Sequence, residues 1–321
     1  MYTSKLTGVV DIGGTKILTG LIDQSGELLT SRRISTIAEH GPEDVIARTV
    51  TMLRDLLQEI GASEEALEAV GCSIPGPLDC KSGVVYFSPN LGWRDVPFVN
   101  LMRSLLNVPV VIDDDAHCAA LGEARMGAAQ GMDNAVYVTI STGIGAGVII
   151  GGNIYRGAHG FAGEVGHITI EAAGPQCSCG NFGCFEAMAS GSAIAALAKQ
   201  EVMDGDDTVL SKFKEDLSKL SAEHVVIAAE AGDTLALRII ESAGTYAGIG
   251  LAAVASAFDP QIIIVGGGVM SSGSIMLQRA RNVFLERTIS PVGSLIPIVP
   301  AALGEKSSLW GAAALVSSTR R

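Results

Sequence analysis

The sequence predicts an α/β protein built from two domains. Its 321 residues are too many for one compact core of usual size but are comfortable for two. Apolar segments of strand length alternate with helical segments, and the 39 glycines favour close backbone packing and tight loops, as in α/β enzymes. A strand, a glycine turn and a second strand follow one another twice, with the turns at Gly13 and Gly143. The length of chain between the two turns is about that of a domain, so we expect the protein to consist of two similar halves.

The first part of the chain contains a hairpin and a well-marked helix. Polar residues from Asp23 to Gly26 separate two apolar runs and predict a turn between strands. The helix begins at Pro42, whose fixed φ suits the first helical position, and Gly61 ends it. Apolar runs predict strands at 9–11, 17–23, 28–34, 70–74 and 108–113, and a second helix at about 116–126.

The pattern restarts in the second part of the chain. Strands are predicted at 135–140 and 147–150 on either side of the glycine turn 141–147. The longest helix is expected from Leu235 to Phe258, and a buried strand at 262–265 leads into Gly266-Gly267-Gly268. No linker interrupts the chain, so we expect the domains to meet at a hinge. The predicted domains are a small α/β domain at 1–115, on which a C-terminal helix at about 305–321 packs back, and a large α/β domain at 116–304, which contains the later glycine turns and three closely spaced cysteines.

Composition argues against several classes of partner. The formal net charge of −12 disfavours nucleic acid and anionic membranes, because neither attracts an acidic protein. Met1–Val10 is too short and polar for a secretory signal, and no apolar run is expected to reach the length of a membrane span. Three of the six cysteines are scattered, which fits a reducing cytoplasm.

Three glycine turns suggest a nucleotide site. Glycines let backbone N–H groups approach phosphate oxygens, and Thr15 and Lys16 add a hydroxyl donor and a positive charge to the first turn. Asp11 at the preceding strand end is placed to hold Mg²⁺ through water. A single glycine hairpin is more often only a turn, and neither a Walker motif nor a dinucleotide fingerprint is present. The candidate nucleotide-binding residues are Asp11, Gly13, Gly14, Thr15, Lys16, Thr142, Gly143, Gly145, Gly267 and Gly268.

A cluster of cysteines predicts a structural zinc site. Cys177, Cys179 and Cys184 crowd into eight residues, and His167 lies ten residues before the first of them. Three thiolates and one imidazole complete a tetrahedral zinc site with no position left for water. The alternative is three free or disulfide-linked cysteines, although a bridge across one intervening residue is strained.

Three consecutive carboxylates supply candidates for a general base. Asp113, Asp114 and Asp115 lie where a buried strand meets a helix, and a helix N-terminus favours a carboxylate as a cap. Three exceed what a cap needs, and like charges this close should raise at least one pKa, which suits a base. Spacing alone does not say which of them acts. His117 is expected to be an ordinary helix residue rather than a catalytic one.

The chain resembles the ROK family of sugar kinases and repressors, in the actin and hexokinase superfamily. The resemblance runs from about Val9 to Gly268. Its motifs are Asp11 to Thr15, Pro75-Gly76-Pro77, Pro89-Asn90-Leu91, Gly143 to Gly147, Gly157, Gly163-Glu164-Val165-Gly166-His167, Cys177 to Glu186 and the Gly266 turn.

The resemblance implies a two-domain actin-like, hexokinase-type ATPase fold with an interdomain cleft and a zinc-binding loop. It also implies a cytoplasmic homodimer or tetramer that transfers the γ-phosphoryl of ATP to the C6 hydroxyl of a hexose, with Mg²⁺ and a structural Zn²⁺. Asp115 matches the family's base. The positions that match sugar-binding residues are Gly76, Asn90, Asp114, Glu164, His167 and Glu186, of which His167 also serves the zinc.

One departure and several alternatives stay open. The family usually has amides where this chain has Asp114 and His117, which affects sugar preference and the pKa of Asp115. Glucose is the favoured substrate, but N-acetylmannosamine, N-acetylglucosamine, mannose, fructose, allose and a polyphosphate donor remain alternatives. A sugar-responsive repressor is disfavoured, because only Met1–Gly8 precede the first strand where the repressors carry a helix-turn-helix. An ATP-binding module without turnover is the remaining rival.

Overall fold

The computed structural model describes residues 4–270 and 274–318. The chain forms two compact units. The first runs up to Gly131, takes in Gly147–Ala162 and resumes at Ala302, and the second comprises Met132–Ala146 and Gly163–Ala301. These units do not follow the predicted ranges of 1–115 and 116–304.

The described residues contain strands and helices in alternation. The strands are β1 (Leu6–Ile12), β2 (Lys16–Asp23), β3 (Leu28–Ser35), β4 (Leu67–Ile74), β5 (Leu78–Asp79), β6 (Val84–Ser88), β7 (Trp93–Val96), β8 (Val110–Asp114), β9 (Ala135–Ile140), β10 (Ile144–Ile150), β11 (Asn153–Ile154), β12 (Ile262–Gly266) and β13 (Ile298–Pro300). The helices are α1 (Pro42–Glu59), α2 (Phe98–Leu105), α3 (Asp115–Met126), α4 (Phe185–Ala189), α5 (Gly191–Asp204), α6 (Ala222–Glu230), α7 (Thr234–Phe258), α8 (Ile275–Arg287), α9 (Val292–Leu295) and α10 (Ser307–Ser318).

The first unit is organised by a five-stranded sheet of order β3-β2-β1-β4-β8. The hairpin strands β1 and β2 are antiparallel, whereas β1, β4 and β8 run parallel to one another. The buried strand residues Val10 and Ile12 share one apolar core with Leu53 of α1. Parallel strands end at the same edge of a sheet. The carboxyl ends of β1, β4 and β8 therefore collect Asp11, the Gly76 loop and the Asp113–Asp115 run on one edge.

Helix α10 returns from the end of the described chain to pack on this sheet and on α3. Leu309 and Ala312 are buried against Val9 of β1. Glu123 of α3 is fully buried, and its carboxylate accepts hydrogen bonds from the N–H groups of Ala302 and Leu303 at 3.1 and 2.9 Å. The same carboxylate accepts a hydrogen bond of 2.8 Å from the Ser307 hydroxyl, just where α10 begins. Glu123 thus fixes the start of α10 against α3.

The second sheet has the order β11-β10-β9-β12-β13, in which β12 is parallel to both β9 and β13. The long helix α7 is capped by the Asp233 side chain, which accepts from the N–H of Ala236. By length and composition α7 could cross a membrane, so the expectation of no such run was wrong, but 61% of the relevant window is buried inside the protein. That burial is typical of a core helix.

Most predicted elements are confirmed at the predicted places. The clearest difference concerns the second glycine turn. Strand β10 begins at Ile144, inside the predicted turn 141–147, because the N–H of Ser141 bonds to the carbonyl of Gly143 at 2.9 Å and closes the turn earlier. The small sheet of β5, β6 and β7 was not predicted.

Two glycines let α3 and α10 touch backbone to backbone. A Cβ on Gly311 would lie 1.7 Å from the carbonyl oxygen of Cys118, and one on Gly122 would lie 2.0 Å from that of Ser307. We expect Gly311→Ala to lower the free energy of unfolding by about 2–4 kcal/mol, because overpacking outweighs the roughly 1 kcal/mol by which alanine favours a helix. Urea unfolding followed by circular dichroism measures this change. The exposed Ser317→Ala in the same helix should change stability by less than about 0.5 kcal/mol. A neutral or stabilising Gly311→Ala would contradict the close approach.

Candidate active site

Asp11 is a buried carboxyl at the end of β1. Its Oδ1 accepts a hydrogen bond of 2.7 Å from the Ser73 hydroxyl on β4. Burial raises the pKa of Asp11 to about 6, the Ser73 hydrogen bond opposes this, and the charge of Asp115 raises it further. The structure therefore brings the predicted Mg²⁺-binding carboxyl and the predicted base into electrostatic contact, as expected for neighbours at one sheet edge.

The first glycine turn lies directly against the Asn90 loop. The N–H of Gly13 bonds to the carbonyl of Lys16 at 2.8 Å, and the Gly13 carbonyl accepts from the Thr36 hydroxyl at 2.6 Å. A Cβ on Gly14 would lie 2.8 Å from the Cβ of Asn90, so only glycine lets the two segments come this close. Asn90, which is predicted to bind sugar, thus lies next to Gly14, which is predicted to bind nucleotide.

Lys16 forms an ion pair. Its ammonium lies 2.9 Å from the Glu305 carboxylate, which also bonds to Arg33. Both partners of the Lys16 pair are substantially exposed, so water screens the pair and a phosphate oxygen could replace Glu305 at little cost.

Asp114 caps α3 and also holds the Gly76 loop. Its Oδ1 accepts from the N–H of Ala116 at 3.0 Å and its Oδ2 accepts from the N–H of Gly76 at 3.3 Å. Gly76 has φ +103°, and a Cβ there would lie 2.4 Å from the Phe87 carbonyl oxygen, so the loop requires glycine. Burial and then the charge of Asp115 raise the pKa of Asp114. Asp114 therefore caps the helix, as expected for a carboxylate at a helix N-terminus. Its pKa is also raised, as predicted for at least one of the three aspartates.

Asp115 is the first residue of α3. The N-terminus of a helix carries partial positive charge, which favours the ionised form of a carboxylate placed there. The charge of Asp115 acts in turn on Asp11 and Asp114, raising the pKa of each. Three predicted site carboxyls therefore interact within the first unit.

Sequence reasoning missed a buried ionic network behind these carboxyls. Asp113 is fully buried, and its Oδ2 accepts from Nε and Nη2 of Arg156 at 2.9 and 2.6 Å. Its Oδ1 lies 2.9 Å from Nδ1 of His117, whose Nε2 lies 2.9 Å from the carbonyl oxygen of Ala162. His117 lies in helix α3, as expected, but it is buried and its ring is bonded on both sides. The i, i+4 spacing of Asp113 and His117 could have revealed their contact, but no local pattern pointed to Arg156.

The pKa values in this network follow from its hydrogen bonds. Burial acts to raise the pKa of Asp113, but the His117 hydrogen bond and the two cations outweigh it, and the net shift is downward. Burial acts to lower the pKa of His117, but the hydrogen bond and charge of Asp113 outweigh it, and the net shift is upward. Both groups are thereby held in their charged forms.

In the second unit, the predicted metal ligands come together. One donor atom from each of His167, Cys177, Cys179 and Cys184 lies within 4.8 Å of every other. Sγ of Cys179 is 3.7 Å from Sγ of Cys184, and Sγ of Cys177 is 3.7 Å from Nδ1 of His167. Ligands on a tetrahedral zinc with bonds of about 2.0–2.3 Å stand roughly 3.5–3.8 Å apart, so this group fits zinc. No disulfide is formed, as the six cysteines are free.

Glu186 joins the cysteine loop to the second glycine turn. Its Oε2 accepts a hydrogen bond of 2.9 Å from the N–H of Ile144, and its Oε1 accepts one of 3.4 Å from the Ser178 hydroxyl. A Cβ on Gly143 would lie 2.5 Å from Oε2 of Glu186. Glu186 is thus not a simple surface charge. Glu164 is more exposed, and its Oε2 lies 3.8 Å from Nε2 of His167.

The remaining nucleotide candidates also lie in the second unit. Gly267 follows β12 with φ +95°, and a Cβ there would lie 1.9 Å from the Ile140 carbonyl oxygen. A Cβ on Gly268 would meet nothing within 4 Å. Thr142 lies in the turn before β10, its carbonyl accepting from the N–H of Ser192 at 3.2 Å, and Gly145 lies in β10 itself.

Comparison with known proteins identifies the family. The family model of ROK proteins matches residues 7–319. The chain belongs to the ROK family. It is 35% identical over 319 residues to a glucokinase from Streptomyces coelicolor, covering 97% of each chain. A ROK family glucokinase from Streptomyces griseus, solved in complex with glucose and AMPPNP, is 37% identical, with a TM-score of 0.81 over 97% of this chain and 98% of that one. The predicted fold class is thereby confirmed.

The ROK chain is also similar to a regulator. It is 33% identical over 307 residues to a xylose repressor from Bacillus subtilis, covering 96% of this chain and 76% of the repressor. Overall identity therefore does not separate a kinase from a repressor, and the side chains of the site must be considered.

The buried carboxyl of Asp11 generates a pH-dependent prediction. Its pKa is about 6 in the folded protein, against an ordinary value of 3.8, so its stabilising contribution is present at low pH and is lost as pH rises through about 6. Above that pH the ionised group costs the fold about 2–3 kcal/mol. We expect Asp11→Asn to raise the melting temperature at pH 8 and to raise it about half as much at pH 5, because the cost of ionisation builds up between the ordinary pKa of 3.8 and the folded pKa of about 6.

Differential scanning calorimetry at both pH values measures this effect. The exposed Asp133→Asn should show no such pH-dependent gain. Equal shifts for Asp11→Asn at pH 5 and pH 8 would show that burial does not perturb Asp11.

Proposed function

We propose that this protein is a hexose kinase that transfers the γ-phosphoryl group of ATP to the C6 hydroxyl of glucose. The observation that carries the proposal is the carboxyl group of Asp115 at the start of α3, interacting with the half-buried Asp11 and Asp114 at the carboxyl ends of the parallel strands β1 and β8. In this arrangement Asp115 serves as the base, and Asp11 is a second carboxyl that can hold a hydrated cation. The similarity to glucokinases supports the choice of glucose.

In the proposed reaction, the C6 oxygen attacks the γ-phosphorus, its proton passes to Asp115 and ADP leaves. Asp115 lies at a helix N-terminus, where a carboxylate is favoured, and in this proposal it accepts that proton. Mg²⁺, when bound near Asp11, neutralises phosphate charge. Positioning and charge neutralisation supply most of the rate enhancement, and proton removal adds a further share.

The glycine turns are proposed to hold ATP. The turns at Gly13 and Gly143 present backbone N–H groups to phosphate oxygens, with Thr15, Lys16, Thr142, Gly14 and Gly145 alongside. The open face of Gly268, beside Gly267, suits the adenine and ribose.

The hexose hydroxyls are proposed to bind a set of polar groups. The residues assigned to this role are Gly76, Asn90, Asp114, Glu164, His167 and Glu186. Carboxylates and amides pair with vicinal hydroxyls and reject analogues that lack them. Glu186 and His167 adjoin the cysteine group, so a structural zinc there would orient sugar-binding side chains.

The same proposed site leaves other sugars and other phosphate donors as alternatives. N-acetylmannosamine, N-acetylglucosamine, mannose, fructose and allose are the alternative sugars, and polyphosphate is the alternative donor. A coupled assay with each sugar and each donor decides among them. Detectable ADP release with none of the sugars would favour a binding module without turnover.

The alternative that this protein is a sugar-responsive repressor is tested by measuring whether it binds DNA. The net charge of −12 disfavours phosphate contacts, and a repressor has no use for a base beside a buried carboxyl. A gel-shift assay with and without sugar tests it. We further propose a cytoplasmic enzyme that forms a homodimer or tetramer, as the family resemblance implies.

Substitution of Asp115 is the sharpest test of the proposed base. We expect Asp115→Asn to lower kcat at least 100-fold, because the amide cannot accept the hydroxyl proton, while glucose binding measured by calorimetry changes little. Asp55→Asn, on an exposed part of α1, should keep wild-type kinetics. Activity of Asp115→Asn within a few-fold of wild type would refute the assignment.

Loss of one cysteine ligand tests the proposed zinc. Elemental analysis should find one zinc per chain in the wild type and less than about a tenth of that in Cys184→Ala. The variant should also melt several degrees lower. Cys72→Ala, a buried cysteine of β4 outside the group, should keep its zinc. Full zinc in Cys184→Ala, or none in the wild type, contradicts the proposal.

A further inference from the structure

The imidazole of His117 meets a hydrogen-bond acceptor on each side. Nδ1 faces the Asp113 carboxylate and Nε2 faces the Ala162 carbonyl oxygen, each at 2.9 Å. A neutral imidazole has only one N–H, and a carbonyl oxygen cannot donate. Arg156 binds Asp113 through two nitrogens, which holds that carboxylate ionised, so Asp113 has no proton to give. Both contacts are satisfied only if His117 is the imidazolium cation.

The surrounding charges balance when His117 is charged. Nδ1 of His117 is paired with the carboxylate of Asp113, which also binds the guanidinium of Arg156, and the charge of Asp114 raises the pKa of His117. In return the charge of His117 lowers the pKa of Asp114 and favours its ionised form, against burial and the charge of Asp115, which raise that pKa. Removal of one cation leaves a buried negative charge without compensation, which is unfavourable in a region that excludes water.

This network ties two segments of the first unit together. On one side, Oδ1 of Asp113 accepts from the N–H of Asp114 at 2.9 Å and so steadies the junction of β8 and α3. On the other side, the N–H of Ala162 bonds to the carbonyl of Arg156 at 3.1 Å, closing a loop whose two ends are both held by the network. Ala162 is the last residue of its segment in the first unit, and Glu164 follows two residues later.

We propose that His117 is a permanently protonated positioning residue, which compensates the carboxylate of Asp114 and anchors the Arg156–Ala162 loop to the start of α3. Asp114 and His117 are then a matched pair, because the positive charge of the His117 imidazolium offsets the negative charge of the Asp114 carboxylate. His117 does not touch the reacting atoms but sets the position and charge of Asp114, which does contact the hexose in the proposed function. The effect on hexose binding rests on that proposed function, whereas the protonation state of His117 does not.

Nuclear magnetic resonance tests the protonation state directly. In protein labelled with ¹⁵N-histidine, both ring nitrogens of His117 should carry a proton and show no titration between pH 6 and pH 8. His117→Asn identifies the resonances by their loss. A neutral ring with one protonated nitrogen at pH 7 overturns the proposal, whether or not the protein phosphorylates a sugar.

A double-substitution cycle tests the matched pair. We expect His117→Asn to raise the KM for glucose at least tenfold with a smaller change in kcat, because Asp114 loses its compensating cation. Asp114→Asn in the same chain removes the uncompensated charge, so the double variant should recover to within about threefold of Asp114→Asn alone. A purely structural role of His117 predicts no such recovery.

Two controls complete the experiment. His40→Asn, the same change at an exposed histidine, should leave both kinetic constants unchanged. If the double variant is as impaired as His117→Asn or more so, the pairing is refuted. If wild-type protein phosphorylates no hexose, the proposed function fails, and the resonance experiment still decides the charge of His117.

Discussion

The site depends on the burial of negative charge at one edge of a sheet. The carboxyl ends of β1, β4 and β8 gather four aspartates, of which Asp113 is fully buried and Asp11, Asp114 and Asp115 are half-buried. Such a group is stable only where donors and cations surround it. The structure supplies the Ser73 hydroxyl, the N-terminus of α3, the Gly76 N–H and the cations Arg156 and His117.

Local patterns predicted much of the architecture and part of the site. The hairpin of β1 and β2, the helix beginning at Pro42 and the cysteine group are each encoded within a few residues, by apolar runs, a fixed φ and ligand spacing. The role of Arg156 could not be predicted, because it lies 43 residues from Asp113 and its loop carries no recognisable pattern. The return of the last helix to the first unit was expected, but the inclusion of Gly147–Ala162 in that unit was not, because no local pattern marks that segment.

The second unit shows how one side chain can link two functions. Glu186 bonds to the backbone of the second glycine turn and to Ser178 in the cysteine loop, and it also matches a sugar-binding position of the family. If the turn binds phosphate as proposed, it does not do so independently of the cysteine loop. Any change that displaces the cysteine loop also moves the hydrogen bond to Ile144, so sugar-side and nucleotide-side substitutions should not be additive in this unit.

The position of α10 has a consequence for biosynthesis. This helix, formed by Ser307–Ser318, is buried against β1 and held to α3 by Glu123, yet the ribosome makes it some 180 residues after that glutamate. Domains of most nascent proteins fold as soon as they emerge. Here the unit that carries Asp115 lacks one face of its sheet until Ser307–Ser318 has been made. The nascent chain must therefore keep an apolar sheet surface shielded until then, and the second unit, which ends at Ala301, can fold first.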